Sequence, residues 1–407
     1  MQDLKHQVPN FQSNPMALKF GIDILLQQDP IWKKDRIAML TNDAARTTNG
    51  IISRLALKNA GFNLTTIFSP EHGIQTIGED GALIKDGLDD LTGLPIISLY
   101  GEKYMPSADD LKNIDILLFD VPDAGTRFYT YLWSMTYWIE AAAKYNKQVI
   151  ILDRPNPLGG NLALSEGPML DESITSFIGR FNIPVKHQCT LGELAIYFNT
   201  VQHWNANLKV IQCEGWERAE LFFDWNQKWV NPSPALQNIE ATILYPGLCF
   251  FEATNLSVGR GTPYSFEWIG APWLNQKEIM MLAHNMLGED YKLEPINLPI
   301  QVGNETSTFT GIRMKVKDPY HYPAVMNGLV LLKLIKDLHP NDFKWMPYPT
   351  NANPSGKNHL SLLLGIQDAE ELFELPLKEW LQNCIKIIKV RNWTTTIKPF
   401  LLYELPI

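Results

Sequence analysis

Arg36–Asn42 reads RIAMLTN, Leu64–Gly73 reads LTTIFSPEHG and Gln148–Pro157 reads QVIILDRPNP. Each is an apolar run of strand length that ends in polar residues and turn formers. Two similar runs lie between them, PIISLYG (Pro95–Gly101) and IDILLFDVPD (Ile114–Asp123). The runs are apolar throughout rather than alternating, and helical stretches around Ile51–Ala60 and Tyr129–Tyr145 separate them. That order predicts a parallel sheet covered on both faces, a doubly wound α/β domain over residues 15–180.

Polar residues follow every one of these runs: Thr41 and Asn42, then Glu71 and His72, Tyr100, Asp120 and Asp123, and finally Asp153, Arg154 and Asn156. The carboxyl ends of parallel strands lie on one edge, where open α/β sheets bind ligands, so five segments are expected to build one cleft. Asn42 and Asp153 serve equally well as turn and cap residues. Glu71 stands apart, because a carboxylate between Pro70 and His72 is not a usual turn residue.

Residues 181–407 are less regular and read as an α+β domain. Thr190 and Glu193 have capping-box spacing, so Glu193 is expected to cap a helix rather than to catalyse. The segment LKVIQC (Leu208–Cys213) is strand-like, and helices are expected over Lys277–Leu287 and Tyr322–Leu338. An arginine between two glycines, Gly259-Arg260-Gly261, offers a guanidinium on a backbone that permits close approach.

The 407 residues make two domains the default. Hydrophobic residues form 45% of the chain and charged residues 19%, enough for extensive cores without a disordered tract. Thirty-five basic against 44 acidic residues leave a formal charge of -9, which argues against nucleic acid as a partner. The four cysteines lack metal or disulfide spacing, and no apolar run is long enough for a membrane span. The opening MQDLKHQVPNFQSNP shows no export-signal pattern.

Dinucleotide, phosphate-loop, GxSxG and HExxH motifs are missing, and the eight histidines are scattered. No cofactor and no metal is therefore expected. What remains is carboxylate, amide, arginine and aromatic chemistry, which suits carbohydrate. DVPDAGTRFYTY (Asp120–Tyr131) concentrates Asp120, Asp123, Arg127, Tyr129 and Tyr131 across a strand end and a helix start.

FSPEHG, TGLPIISLYG, the DVPDAGTRFYTY block, LDRPNPLGG, the TLGELA helix and EATNLSVGRGT resemble, in order and spacing, a bacterial family associated with exo-β-N-acetylmuramidase activity. The resemblance runs from about residue 20 to the C-terminus. It implies a Rossmann-like N-terminal domain, a smaller C-terminal domain and an active site in the cleft between them. It also implies removal of non-reducing terminal N-acetylmuramic acid from peptidoglycan fragments, in the periplasm or outside the cell, with the cytoplasm as the alternative. Glu71 matches the family's catalytic glutamate, while Arg127, Tyr129 and Arg260 match its RFYTY and GRGT positions. Gln75-Thr76 stands where Arg-Gly is expected, Val121-Pro122-Asp123 where Ile-Gln-Asp is common, and Pro234-Ala235-Leu236 where Pro-Asn-Met-Pro is common.

Glycoside hydrolysis needs a proton for the leaving oxygen and a group that stabilises the oxocarbenium-like centre. Glu71 is the expected acid, with Asp120 or Asp123 as the nearest second carboxylate and Tyr129 beside them. The 2-acetamido group of the substrate is the alternative second participant. Asn42, His72, Tyr100, Arg127, Asn156 and Arg260 are the expected substrate contacts. Arg260 is the first candidate to hold the lactyl carboxylate that distinguishes muramic acid from glucosamine, and Arg127 the second. A non-catalytic muropeptide-binding protein using the same cleft is the competing reading, and the oligomeric state is left open.

Overall fold

The computed structural model describes residues 17–287, 291–303, 305–390 and 392–405. The N-terminal stretch read for an export signal, and the start of the N-terminal domain at residue 15, lie outside the described residues. Strands β1 (Ile37–Thr41), β2 (Leu64–Ser69), β3 (Gly87–Leu88), β4 (Pro95–Ser98), β5 (Ile116–Asp120) and β6 (Gln148–Leu152) follow in order. A two-stranded ribbon, β7 (Glu166–Met169) and β8 (Pro184–Lys186), interrupts them before β9 (Asn207–Ile211). The central sheet has seven strands in the order β3-β4-β2-β1-β5-β6-β9, parallel except for β3.

Both faces of these strands are apolar because both are buried. Along β1, Ala38 and Leu40 enter the main core while Ile37 and Met39 enter a second core on the opposite face. Strand β5 repeats this with Leu117 and Phe119 against Ile116 and Leu118, and β6 with Val149 and Ile151 against Ile150 and Leu152. Each of the larger of these side chains contributes about 1.5–3 kcal/mol when fully buried, and a one-residue slip in register would exchange the two faces and misplace every polar strand end. Helices Tyr131–Lys144 and Leu191–Val201 cover one face, and Gly21–Leu26 with Ser53–Asn59 cover the other.

The expected doubly wound domain with a second α+β unit is what forms. Strand β9 corresponds to LKVIQC and joins the N-terminal sheet, so that sheet extends past residue 180 to Ile211. The C-terminal part carries β10 (Trp268–Ala271), β11 (Tyr291–Val302) and β12 (Glu305–Val316), an antiparallel sheet in the order β10-β12-β11. Helix Gln276–Leu287 packs on it, and Ala324–Leu338 packs in turn on that helix. Helix Ile239–Leu248 crosses Ala324–Leu338 where Gly247 meets Gly328. A Cβ on Gly328 would lie 2.4 Å from the Gly247 backbone, so only glycines permit this approach. The main core runs unbroken from Ala38 to Ile397, which makes the two parts one packed body. No described helix is long and apolar enough to cross a membrane.

The chain passes from β1 to β2 and β4 on one side of the sheet, and from β5 to β6 and β9 on the other. Neighbouring strands β1 and β5 are therefore the topological switch point.

Candidate active site

Pro70, Glu71 and His72 follow β2, and His72 turns the chain with φ +66°. The loop folds back on itself: His72 Nδ1 sits 2.8 Å from the Gly78 carbonyl, and Gly81 N–H donates to Glu71 Oε1 at 3.1 Å. Thr130 Oγ1, just before helix Tyr131–Lys144, donates to Glu71 Oε2 at 2.6 Å. The C-terminal part pins this loop from outside, since Asn351 gives both its backbone N–H (3.1 Å) and Nδ2 (2.7 Å) to the Gly81 carbonyl. Gly81 has φ +68°, and a Cβ there would lie 2.7 Å from the Thr350 side chain. Only glycine fits under that strap.

Pinning the loop carries Asp80 to Glu71. One oxygen of Glu71, one of Asp80 and a ring nitrogen of His72 all lie within 4.8 Å of one another. Asp80 Oδ2 accepts from the Tyr348 hydroxyl at 2.8 Å and lies 3.6 Å from Arg260 Nη2. Arg260 also donates through Nε to Glu252, and its guanidinium stands 5.0 Å from the centre of the Phe266 ring. His359 stacks on Tyr348 with ring centres 4.6 Å apart. The pocket is lined further by Tyr100, Phe128, Tyr129, Phe177, Ser233, Ala235, Leu236 and Tyr245.

The two neighbouring carboxyls are pushed in opposite directions. Burial raises Glu71 above the ordinary carboxylate range, and the Asp80 charge raises it further, against smaller opposing effects of His72, Thr130 and Tyr100. Burial also acts to raise Asp80, but Arg260, His72, Tyr348 and His359 together outweigh it and hold Asp80 below the usual range. Glu252 is raised by burial despite Arg260. His359 is lowered to about 4 by burial, so its imidazole is neutral at neutral pH. The Glu71, His72 and Asp80 donors have the composition of a divalent-cation site. Here both Glu71 oxygens already accept protein donors, and the charge opposite Asp80 is Arg260.

Of the residues singled out from the sequence, Glu71, His72, Tyr100, Tyr129 and Arg260 line this one pocket. The others do not. Asp120 is fully buried in an ion pair with Arg154, and Asp123 faces a different cavity while its Oδ2 stands 3.3 Å from His187 Nε2. Neither is the second carboxylate beside Glu71; Asp80 is. Arg127 is entirely buried and donates to the carbonyls of Pro168, Ile183 and Leu363, tying the β7–β8 ribbon to helix His359–Leu364. It offers nothing to a substrate carboxylate. Asn42 accepts from Ala44 N–H, and Asn156 bridges the Cys189 carbonyl and Leu158 N–H. Both shape turns at the sheet edge. Arg260 is in the pocket but already holds two acids, Asp80 and Glu252, a pairing that no sequence spacing reveals. Asp80 sits between Glu79 and Gly81 and reads as a turn residue; Glu252 is a lone carboxylate in the apolar run CFFEA, and Thr130 lies inside the RFYTY block.

Residues 37–240 match the N-terminal family model of the exo-beta-N-acetylmuramidase NamZ, and residues 243–403 match the C-terminal one. The chain belongs to this family. It is 38% identical to the peptidoglycan beta-N-acetylmuramidase NamZ of Bacillus subtilis (strain 168) over 342 residues, 80% of this chain and 79% of that protein. Two solved structures of DUF1343 family proteins from Bacteroides fragilis NCTC 9343 are similar. One has a TM-score of 0.83 at 25% identity, covering 95% of this chain and 99% of its own. The other has a TM-score of 0.70 at 28% identity, covering 96% and 100%. Against this background the departures noted in the sequence acquire places. Thr76, where glycine is expected, holds a left-handed φ of +58° that β-branched residues rarely adopt, and donates to the Asn231 carbonyl at 3.2 Å. Ala235 and Leu236 form part of the pocket wall itself.

Proposed function

We propose that this chain is an exo-acting glycoside hydrolase that releases non-reducing terminal β-linked N-acetylmuramic acid from peptidoglycan fragments. Family membership and the Bacillus subtilis relative support the substrate. The observation that carries the chemistry is the Glu71–Asp80 pair, two carboxyls within 4.8 Å whose proton affinities are driven apart. Opposed environments on adjacent carboxyls separate an acid from a base. Burial and the neighbouring Asp80 charge favour the protonated form of Glu71, which delivers its proton to the glycosidic oxygen. Asp80 stays ionised and faces the developing positive charge, either directly or through the substrate's acetamido group. The spacing is closer to the roughly 5–5.5 Å of retaining enzymes than to the roughly 6.5–9.5 Å that admits an inverting water. A protein that only bound muropeptides would need the aromatic walls and Arg260 but no such pair.

The test is Glu71→Gln, which keeps size and hydrogen bonding but carries no transferable proton. Turnover of a chromogenic β-N-acetylmuraminide should fall at least about 10²- to 10⁴-fold while the circular dichroism spectrum stays unchanged. In the wild type, activity should be lost as pH falls through the depressed Asp80 pKa and as it rises through the raised Glu71 pKa. The variant's residual activity should lack the alkaline limb. Full turnover by Glu71→Gln removes Glu71 from the mechanism.

A further inference from the structure

The carboxyl edge of the sheet carries a second cavity, at the switch point itself. It opens between the segment after β1 (Ala44, Arg46), the segment after β5 (Pro122, Asp123) and the segment after β6 (Arg154, Pro155). This crevice is where open α/β sheets ordinarily take their ligand. The acidic pocket instead lies off the ends of β2 and β4, against the C-terminal part. The crevice holds about 410 Å³ against about 70 Å³ for the acidic pocket. The two are neighbours: in the segment 230–236, Val230 and Pro232 line the crevice, while Ser233, Ala235 and Leu236 line the pocket.

Its lining has a definite chemistry. Phe222 and Trp229, both half-buried, meet edge to face with ring centres 4.9 Å apart and present aromatic surface. Asp123 and Trp225 also line the crevice and are more than nine-tenths buried. Asp123 Oδ1 and Trp225 Nε1 find no hydrogen-bond partner among the described residues. Buried polar groups normally have partners, so an acceptor and a donor are left for something else. Arg154 is committed to Asp120. Arg46 gives Nε and Nη1 to the carbonyls of Asp43 and Gly50, and its charge has no carboxylate partner among the described residues. Lys228, exposed on the rim, likewise has none. In a chain of net charge -9 this is a local excess of positive charge.

We propose that the switch-point crevice is a second ligand site, one that takes a pyranose bearing a carboxylate. The sugar ring rests on Phe222 and Trp229, the carboxylate meets Lys228 and Arg46, and a hydroxyl reaches Asp123. Two sources supply this chemistry: an acidic sugar further along the same glycan, or the free acidic sugar that the reaction releases. The proposal extends the functional reading above, and binding can be measured whether or not turnover occurs.

The probe is free N-acetylmuramic acid, titrated calorimetrically into the full-length protein, with N-acetylglucosamine as the neutral comparison. The wild type should show two binding events for the acidic sugar. Lys228→Glu, a change on an exposed and unpartnered side chain, should weaken one of them about tenfold or more and leave the other unchanged. Arg46→Gln should act on the same event. Turnover of a monosaccharide muraminide by Lys228→Glu should stay within about twofold of wild type. A fall in kcat/KM on longer glycans alone assigns the site to a distal sugar, and an unchanged value on both substrates assigns it to the free product. An identical isotherm in Lys228→Glu, or equal binding of the neutral sugar, overturns the proposal. Intact binding without muraminide turnover would overturn the hydrolase reading instead and leave the crevice site standing.

Discussion

Replacing Arg260 by alanine separates two roles that the sequence alone could not distinguish. From the sequence, Arg260 is the group that grips the lactyl carboxylate. In the structure it lies between Asp80, at 3.6 Å, and Glu252. Its main effect is then on the Glu71–Asp80 pair, by favouring an ionised Asp80. Coulomb's law puts a full charge pair at 3.6 Å at about 1.2 kcal/mol in water and about 4.6 kcal/mol at an effective dielectric constant of about 20. The Arg260 side chain is 30% exposed, so solvent screening favours the lower half of that span, about 1.5–3 kcal/mol. That corresponds to a loss of roughly 10- to 150-fold in kcat/KM. The assay compares chromogenic β-N-acetylmuraminide and β-N-acetylglucosaminide, measuring any residual activity on the latter. Arg260→Ala should lower both by the same factor, and the acid limb of the pH profile should move upward because Asp80 loses its strongest stabilising charge. Arg260→Lys, which keeps the charge without the fork, should fall between. A loss confined to the muraminide, with the acid limb unmoved, would refute this reasoning and return Arg260 to the lactyl group.

Gly81→Ala should cost about 2 kcal/mol or more of stability, because a left-handed backbone and the Thr350 side chain both oppose a Cβ there. Its kcat/KM should fall further than the folded fraction explains, and Thr350→Gly in the same chain should restore part of both; failure of that rescue would show that the strap does not position Asp80. His359 is held near pKa 4 in the folded protein, below its unfolded value of about 6.5, so the unfolded chain binds more protons between those values and His359 lowers stability as pH falls through that window. The stability of wild type relative to His359→Phe should accordingly drop by about 3 kcal/mol from pH 6.5 to pH 4 in urea denaturation, and a flat difference would count against a buried neutral imidazole. Chelation with EDTA should leave activity unchanged, since protein donors occupy both Glu71 oxygens and Arg260 compensates Asp80; a loss restored by one divalent metal would show that the Glu71–His72–Asp80 donors hold an ion.

The sheet, its parallel sense and the polar ends of its strands were legible in the sequence, because a strand buried on both faces must be apolar at every position and its polar ends must be punctuated by turns. RIAMLTN, LTTIFSPEHG and QVIILDRPNP carry that pattern without help from the rest of the chain. The Thr190–Glu193 cap is equally local and forms as read. Glu71 was visible because a carboxylate between a proline and a histidine has no purely local use. Its partner was not. Asp80 becomes an active-site group only when Asn351, some 270 residues later, pins the Gly81 carbonyl, and when Arg260 and Tyr348 converge on its carboxylate. The same limit misplaced Asp120, Asp123 and Arg127, whose motif proximity to Glu71 ends at the switch point between β1 and β5. Strand order sends the residues directly after β1, β5 and β6 to one cavity and those after β2 and β4 to another, which the β5 segment reaches only further on, at Phe128–Thr130. Sequence periodicity records which face of a strand is buried, whereas the side of the sheet on which its end emerges depends on the order of strands, and only the assembled fold decides that.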